Sequence, residues 1–437
     1  MLENLAKILV VDNDQRELDF INKTMYGLNI PASYILYSSA NPPPKPFSGI
    51  RLVFFDIQLQ NGGGGLIDTN AINAFSNAIK HCIDINNGPF ILVFWTSHIE
   101  DIENIKEHIE KREKDTVPAP LIIDMIDKTV AGNEKALSDA IKRILTNDIL
   151  ELLFDYDEKI SQASGKTLKT IFSVASEGKD KWGESNNFVE NFDLVISNIA
   201  NETLGYNNAK QNPLAAIRDG LNPILVNELN GINLSVKWRD KMKWLLESDS
   251  KIQFKKIGFD HICKLNSIYH FNFNIDFFTK RTRGIVLEIE MGDPEMILLF
   301  GKERKQIRHA ILPLDSAMPK GEKQKIKDGS QFVLLEISSS CDHAQDNPRN
   351  FTYLLGIIVR NFDENYLRKS ESIIRLPNFY YKNEGYFLFF NSRYILSTTE
   401  LEPVFFKDIL FRIKSELMNK ITTQHSNYIS RLGVIQF

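Results

Sequence analysis

The feature that most constrains the fold is the segment Arg51–Leu59, a short apolar run that contains a single carboxylate, Asp56. An apolar run of this length without polar alternation is typical of a strand buried on both faces, as in a parallel sheet. In an open α/β sheet, reactive and ligand-binding groups lie where the strands reach their carboxyl ends. We therefore expect Asp56 at the functional edge of such a sheet.

Three further apolar runs end in polar side chains. Lys7–Asp14 closes on Asp12, Asn13 and Asp14; Ile91–Ser97 closes on Thr96; and Leu121–Lys128 closes on Lys128. Because parallel strands end at one edge, these groups should converge with Asp56. A carboxylate is a competent nucleophile toward phosphorus, and a cation and an ammonium can neutralise the charge of an incoming phosphoryl group. The pattern indicates a phosphoryl-accepting site.

The order of these groups resembles the receiver domain of two-component response regulators, over residues 5 to about 147. The resemblance implies a flavodoxin-like domain with a five-stranded parallel sheet, which we assign to residues 1–147. It also implies that Asp56 accepts phosphate from a histidine kinase or a phosphotransfer protein. Thr96 would then bind a phosphoryl oxygen, and Lys128 would pair with the phosphate.

The same resemblance implies a Mg²⁺ site formed by Asp12, Asn13, Asp56 and the backbone carbonyl of Gln58. Mg²⁺ prefers oxygen ligands and is usually held by one or two carboxylates with water and substrate oxygens. Asp14 is open to two interpretations, a further metal ligand or the N-cap of the following helix.

The chain departs from the family pattern at two of these strand ends. Asn13 stands where the family usually has a second acid, and Thr129 follows Lys128 where the family usually has proline. The spacings from Asp56 to Thr96 and from Thr96 to Lys128 are longer than usual. A degenerate receiver that no longer takes phosphate is therefore the alternative to an active one.

The rest of the chain changes character twice. Residues 148–250 carry apolar residues at helical spacing and predict a helical linker domain, with separate helices at 148–163 and 166–176. Residues 251–437 predict a β-rich, barrel-like output domain that ends in a helix at 403–420. Its candidate strands are Gly284–Glu290, Met296–Phe300, Gln331–Ile337, Tyr353–Val359 and Tyr386–Leu396.

Directly after one of these strands comes Ile337-Ser-Ser-Ser-Cys-Asp-His-Ala-Gln345. It resembles an S-x-CD-x-x-Q signature of uncharacterised bacterial proteins, some of them found beside defence genes. A thiol with Asp342 and His343 next to Cys341 could form a nucleophile site or half of a metal site. The competing interpretation is a buried cysteine followed by an aspartate that caps a turn.

The composition indicates the class of protein, its compartment and the partners that are less expected. The 437 residues are 43% hydrophobic and 25% charged, which is typical of a soluble globular protein of two or three domains. Three separated cysteines and no run long enough for a membrane helix favour a cytoplasmic protein. The net charge of −4 argues against nucleic acid as the main partner. We interpret the Lys-rich segments 302–308 and 320–327 as solvated loops, although such loops could also follow a phosphate backbone.

These observations favour a signalling protein whose receiver switches or buffers a pathway through its C-terminal region. That region is not expected to bind DNA, and the pathway is expected to serve phage defence. No enzymatic activity beyond receiver phosphotransfer and autodephosphorylation is expected. The helical segment would transmit the change or hold a homodimer. The alternatives are a receiver-controlled hydrolase or nuclease that uses Cys341, Asp342 and His343, and a pseudo-receiver interaction scaffold.

Overall fold

The computed structural model describes residues 7–59, 69–129, 132–176, 188–241, 258–276, 278–339, 350–399 and 403–430. These residues fall into two compact units. One contains the described residues up to Lys169 together with Leu225 to Lys241. The other contains Thr170 to Ile224 together with the described residues from Gly258 onward. The helical segment predicted at 148–250 thus contributes to both units.

The first unit is built on a five-stranded parallel sheet with the order β2-β1-β3-β4-β5. This topology confirms the predicted flavodoxin-like α/β fold. The three central strands are buried along their whole length, as their apolar runs predict. The strands are β1 (Ile8–Asp12), β2 (Ser33–Leu36), β3 (Leu52–Phe55), β4 (Ile91–Thr96) and β5 (Ile122–Asp127).

Four helices cover the two faces of this sheet. Apolar residues of α1 and α4 pack on one face, and those of α2 and α3 pack on the other. The described segment between β2 and β3 contains no helix; it carries Pro42, Pro43, Pro44 and Pro46, which disfavour one. The helices are α1 (Gln15–Gly27), α2 (Thr69–Cys82), α3 (Ile102–Arg112) and α4 (Glu134–Leu145).

A helical region follows the sheet. It consists of α5 (Asp148–Ala175), α6 (Phe188–Leu204), α7 (Tyr206–Gln211), α8 (Pro213–Asn230) and α9 (Val236–Lys241). The predicted break near Gly165 is wrong, because α5 runs through it; one glycine costs a helix only about 1 kcal/mol. Within the first unit, α5 is joined to the sheet through Asp157, which lies 2.8 Å from the Arg51 guanidinium.

The second unit contains an eight-stranded antiparallel sheet that forms a half-barrel, as the predicted β-rich class requires. Its main path is β10-β12-β9-β8-β7-β13-β6, and β11 pairs with β12. Apolar side chains bury both faces of this sheet. The strands are β6 (Phe271–Asn272), β7 (Ile285–Ile289), β8 (Gln331–Glu336), β9 (Phe351–Arg360), β10 (Ile373–Arg375), β11 (Phe379–Tyr381), β12 (Glu384–Thr398) and β13 (Phe406–Ile413).

Helices connect and flank these strands: α10 (Phe259–His270), α11 (Asp293–Phe300), α12 (Arg304–Ile311), α13 (Lys320–Asp328) and α14 (Ser415–Ile429). Both Lys-rich segments predicted as loops are therefore largely helical. Among the described helices, none is long and apolar enough to cross a bilayer.

Two predicted elements of this unit are wrong. Met296–Phe300 is not a strand; it belongs to α11, which begins after Gly292 and has Pro294 in its first turn. Proline is favoured at the start of a helix because its missing N–H has no partner there in any case. The helix predicted at 403–420 is strand β13 followed by α14, which begins only at Ser415.

Candidate functional site

The sheet brings Asp12 and Asp56 to adjacent strand ends. Val11 of β1 pairs with Phe55 of β3, and the Asp56 N–H donates to the Val11 carbonyl at 3.0 Å. Asp12 is fully buried and Asp56 is 6% exposed. Two carboxylates thus lie side by side at the carboxyl edge of the sheet, where the sequence predicts the reactive groups.

Lys128 follows β5 and reaches both carboxylates. Its Nζ lies 2.9 Å from Asp12 Oδ2 and 3.3 Å from Asp56 Oδ2. Its backbone N–H donates to the Thr96 carbonyl at 3.0 Å, which fixes the end of β5 against the end of β4. The ammonium also lies 5.5 Å from the centre of the Trp95 ring, a cation–π distance.

Burial and neighbouring charges shift the pKa values of Asp56 and Lys128. Burial raises the pKa of Asp56 and the neighbouring Asp12 adds to the rise, while Lys128 and the Gln58 backbone N–H oppose it. Burial alone would lower the pKa of Lys128, but attraction to Asp56 and Asp12 raises it instead. Two ionised carboxylates and one ammonium carry a net charge of about −1, a potential that attracts a cation.

Hydrogen bonds orient the Asp12 carboxylate. Its Oδ1 accepts from the Asp14 N–H at 2.8 Å, and its Oδ2 accepts from Lys128. Asn13 lies between the two acids in the chain and is half-buried. The Asp12 side chain is therefore held next to the Lys128 ammonium, which also contacts Asp56.

Asp14 serves as the N-cap of α1. Its Oδ1 accepts from the Arg16 N–H at 2.8 Å, and its Oδ2 lies 2.7 Å from the Arg16 guanidinium. These contacts with Arg16 lower the pKa of Asp14 to about 2. Of the two interpretations left open by the sequence, the structure supports capping.

Thr96 ends β4 and is fully buried. The register pairs Phe55 of β3 with Phe94 of β4, so Thr96 lies one position farther along its strand than Asp56 does on the neighbouring strand. Its Oγ1 accepts from the His98 N–H at 3.1 Å. A hydroxyl that accepts one hydrogen bond still has its O–H to donate.

The side-chain set fits a hard divalent cation. Asp12 and Asp56 supply carboxylate oxygens, and Asn13 and Gln58 add oxygen donors nearby in the chain. Mg²⁺ typically uses such oxygen ligands.

The other predicted site residues, Cys341, Asp342 and His343, lie outside the described residues. The sequence interpretation missed Trp95, whose ring faces the Lys128 ammonium. Its position directly before Thr96, at the end of a buried strand, was the signal that could have identified it.

Comparison of the chain with protein-family models and with curated protein sequences finds no match. The functional interpretation therefore depends on the fold and on the geometry of Asp12, Asp56, Thr96 and Lys128.

Proposed function

We propose that the N-terminal domain is a phosphoryl-accepting signalling domain, with Asp56 as the acceptor and a phosphohistidine of a kinase or phosphotransfer protein as the donor. The observation that carries the proposal is the position of Lys128, whose Nζ lies within 3.3 Å of both Asp12 and Asp56. A structural ion pair needs one carboxylate for one ammonium, whereas phosphoryl transfer needs a nucleophile, a cation site and a positive charge together.

In the proposed step, an Asp56 oxygen attacks the phosphorus of the phosphohistidine. The new O–P bond forms as the P–N bond breaks, and the imidazole leaves with the bonding pair and takes up a proton. The Lys128 ammonium compensates the charge that accumulates on the phosphoryl oxygens. The Thr96 hydroxyl donates a hydrogen bond to one of those oxygens.

Asp12 and Asp56, with Asn13 and the Gln58 carbonyl, would hold Mg²⁺, which supplies positive charge at the phosphoryl group when bound. Lys128 also favours the ionised form of Asp56, because it opposes the rise in the pKa of Asp56 that burial and Asp12 cause. An ionised carboxylate is the form that can act as a nucleophile.

Phosphorylation would add a dianion beside Lys128 and Thr96. Lys128 would then exchange its contact with Asp56 for a contact with the phosphate, and the segments that follow β4 and β5 would adjust with it. We propose that this change, carried through the helical region, alters how the half-barrel unit binds a protein partner.

The test is phosphorylation by acetyl phosphate with Mg²⁺, followed by intact mass spectrometry of the full chain. We expect the mass to increase by one phosphoryl group, and the increase to disappear when the metal is chelated. Asp56→Asn should abolish the modification, whereas Asp139→Asn, at an exposed aspartate of α4, should leave it unchanged. Equal modification of Asp56→Asn and wild type would refute the assignment.

A pseudo-receiver scaffold is the second candidate, and one observation favours it. Asn13 is neutral where a second acid would strengthen the cation site. Under this alternative, neither phosphodonor nor Mg²⁺ changes the folded wild-type protein.

A further inference from the structure

We propose that His98, Glu100 and Asp101 bind a divalent transition-metal ion, at a site separate from the one that contains Asp12 and Asp56. The three residues lie on the turn between β4 and α3, and one ligand atom from each lies within 4.8 Å of the others. The inference does not depend on whether Asp56 accepts phosphate.

Asp101 provides the strongest observation. Its side chain is fully buried, and neither carboxylate oxygen has a hydrogen-bond partner among the described residues. A buried carboxylate without hydrogen bonds or a counter-charge is strongly unfavourable, so buried charges are normally paired or bound to metal. A positive charge next to the Asp101 oxygens would therefore stabilise this buried carboxylate.

The distances suit a metal ion of the zinc class. His98 Nδ1 lies 3.5 Å from Glu100 Oε1. Ligand atoms at about 2.1 Å from a tetrahedral Zn²⁺ are themselves about 3.4 Å apart. The His98–Glu100 pair already has this separation, and an Asp101 carboxylate oxygen lies within 4.8 Å of both ligand atoms.

The surrounding structure holds the ligands in place and leaves an approach for the ion. The short 3₁₀ turn Ile99–Asp101 leads directly into α3, and Ile102 is packed into the core of the first unit. The exposure of the ligands increases along one direction of the site. Asp101 is fully buried, the His98 side chain is 23% exposed and the Glu100 side chain is 62% exposed. An ion could enter from the Glu100 side and complete its coordination with water.

The ligand chemistry selects the class of ion. One imidazole with two carboxylates suits first-row transition ions such as Mn²⁺, Co²⁺ and Zn²⁺. Mg²⁺ prefers an all-oxygen environment with several retained waters. The proposed site should therefore discriminate against Mg²⁺, the ion expected at Asp12 and Asp56.

The experiment is a titration of the full chain with Co²⁺ and Zn²⁺ in excess Mg²⁺, followed by visible absorption for Co²⁺ and by calorimetry for Zn²⁺. We expect one site. Loss of an outer-shell partner typically weakens metal binding about 10–100-fold, so Asp101→Asn and His98→Ala should weaken it at least about tenfold.

Matched controls separate this site from unspecific binding and from the phosphoryl site. Exposed Asp115→Asn and exposed His309→Ala should bind Co²⁺ as wild type does. Asp56→Asn should also bind Co²⁺ as wild type does, because Asp56 belongs to the other site. This result is expected whether or not the wild type can be phosphorylated. Wild-type affinity in Asp101→Asn or His98→Ala, or displacement of Co²⁺ by Mg²⁺, would overturn the proposal.

Thermal unfolding guards against a folding defect in the variants. Zn²⁺ should raise the Tm of the wild type by mass action and raise that of Asp101→Asn by less at the same concentration. Without metal, Asp101→Asn should be at least as stable as wild type, because it removes an unpaired buried charge. Equal Zn²⁺-induced Tm shifts in both proteins would contradict the assignment.

Discussion

Asp56 is buried beside a second carboxylate, and its pKa is raised by burial and by Asp12. A raised folded-state pKa means that the folded protein binds this proton more tightly than the unfolded chain does. Above the raised pKa, ionised Asp56 therefore lowers the stability of the folded protein. Below about pH 4, the ordinary aspartate range, Asp56 is protonated in both the folded and the unfolded state, and this cost is absent.

We therefore expect Asp56→Asn to raise the Tm at neutral pH in metal-free buffer. The gain should shrink as the pH falls through the raised pKa and disappear below about pH 4. Thermal unfolding of both proteins across this range measures the difference. A gain in Tm that stays constant with pH, or a loss of stability at neutral pH, would show that the pKa of Asp56 is not raised in the folded protein.

Lys128 is the cation shared by two buried acids, so its removal should be costly. Breaking a buried ion pair by deleting one partner costs roughly 3–5 kcal/mol. We expect Lys128→Met to lower the free energy of unfolding by about 3 kcal/mol in urea titrations at neutral pH. In an Asp56→Asn background the cost should be smaller, because only Asp12 is left unpaired. Equal costs in both backgrounds would contradict the bridging geometry.

The sequence predicted that Asp12, Asp56 and Lys128 meet, because parallel strands share an edge, but not how their side chains pair. It also placed Thr96 at the end of its strand, where β4 ends. The pairing of Asp14 with Arg16 depends on the first turn of α1, which residue type alone leaves open. Asp101 could not be identified because burial of a single polar residue leaves no periodic signal.

Among the secondary-structure elements, most buried strands and patterned helices were predictable, whereas the continuity of α5 through Gly165 and the helical state of Met296–Phe300 were not. The buried strands of the first sheet and the helices α4, α6 and α8 follow their sequence periodicity. Met296–Phe300 is a short apolar run, which suits a strand or a buried helix equally, and the Asp293–Pro294 start of α11 decided the outcome.

The pairing of β9 with β12 depends on a glycine. Gly356 lies opposite Phe390, and a Cβ at Gly356 would lie 2.6 Å from the Phe389 carbonyl oxygen and would overlap the Phe390 ring. We expect Gly356→Ala to destabilise the protein by about 1–3 kcal/mol through overpacking. Denaturant unfolding monitored by circular dichroism measures this cost.

Gly321 is the matched control, because nothing lies within 4 Å of the Cβ that Gly321→Ala would add in α13. There the substitution should be neutral or stabilise the protein by up to about 1 kcal/mol, since alanine loses less backbone entropy in a helix. Similar destabilisation by Gly356→Ala and Gly321→Ala would show that the strand contact is not responsible.

For the whole molecule, the two units have separate hydrophobic cores, one around the parallel sheet and one around the half-barrel. Units with separate cores need not unfold in one cooperative step. The fold class of each was predictable from the change in sequence periodicity. The way in which the helical region divides between the two units was not predictable. The segment 148–250 has the same apolar spacing whichever unit a helix joins.

We expect scanning calorimetry to resolve two transitions. Gly356→Ala should lower the Tm of one, and Lys128→Met should lower the Tm of the other, because the two residues lie in different units. A single transition that both substitutions shift together would show that the units unfold as one.

Chemical mapping of the modified residue tests whether Asp56 is the group that takes up phosphate. An acyl phosphate is reduced by borohydride, which converts an aspartyl phosphate to homoserine. After treatment with a phosphodonor and Mg²⁺, peptide sequencing by mass spectrometry should find homoserine at position 56 and aspartate at positions 12 and 14. Homoserine at another position, or none in a correctly folded protein, would contradict the account.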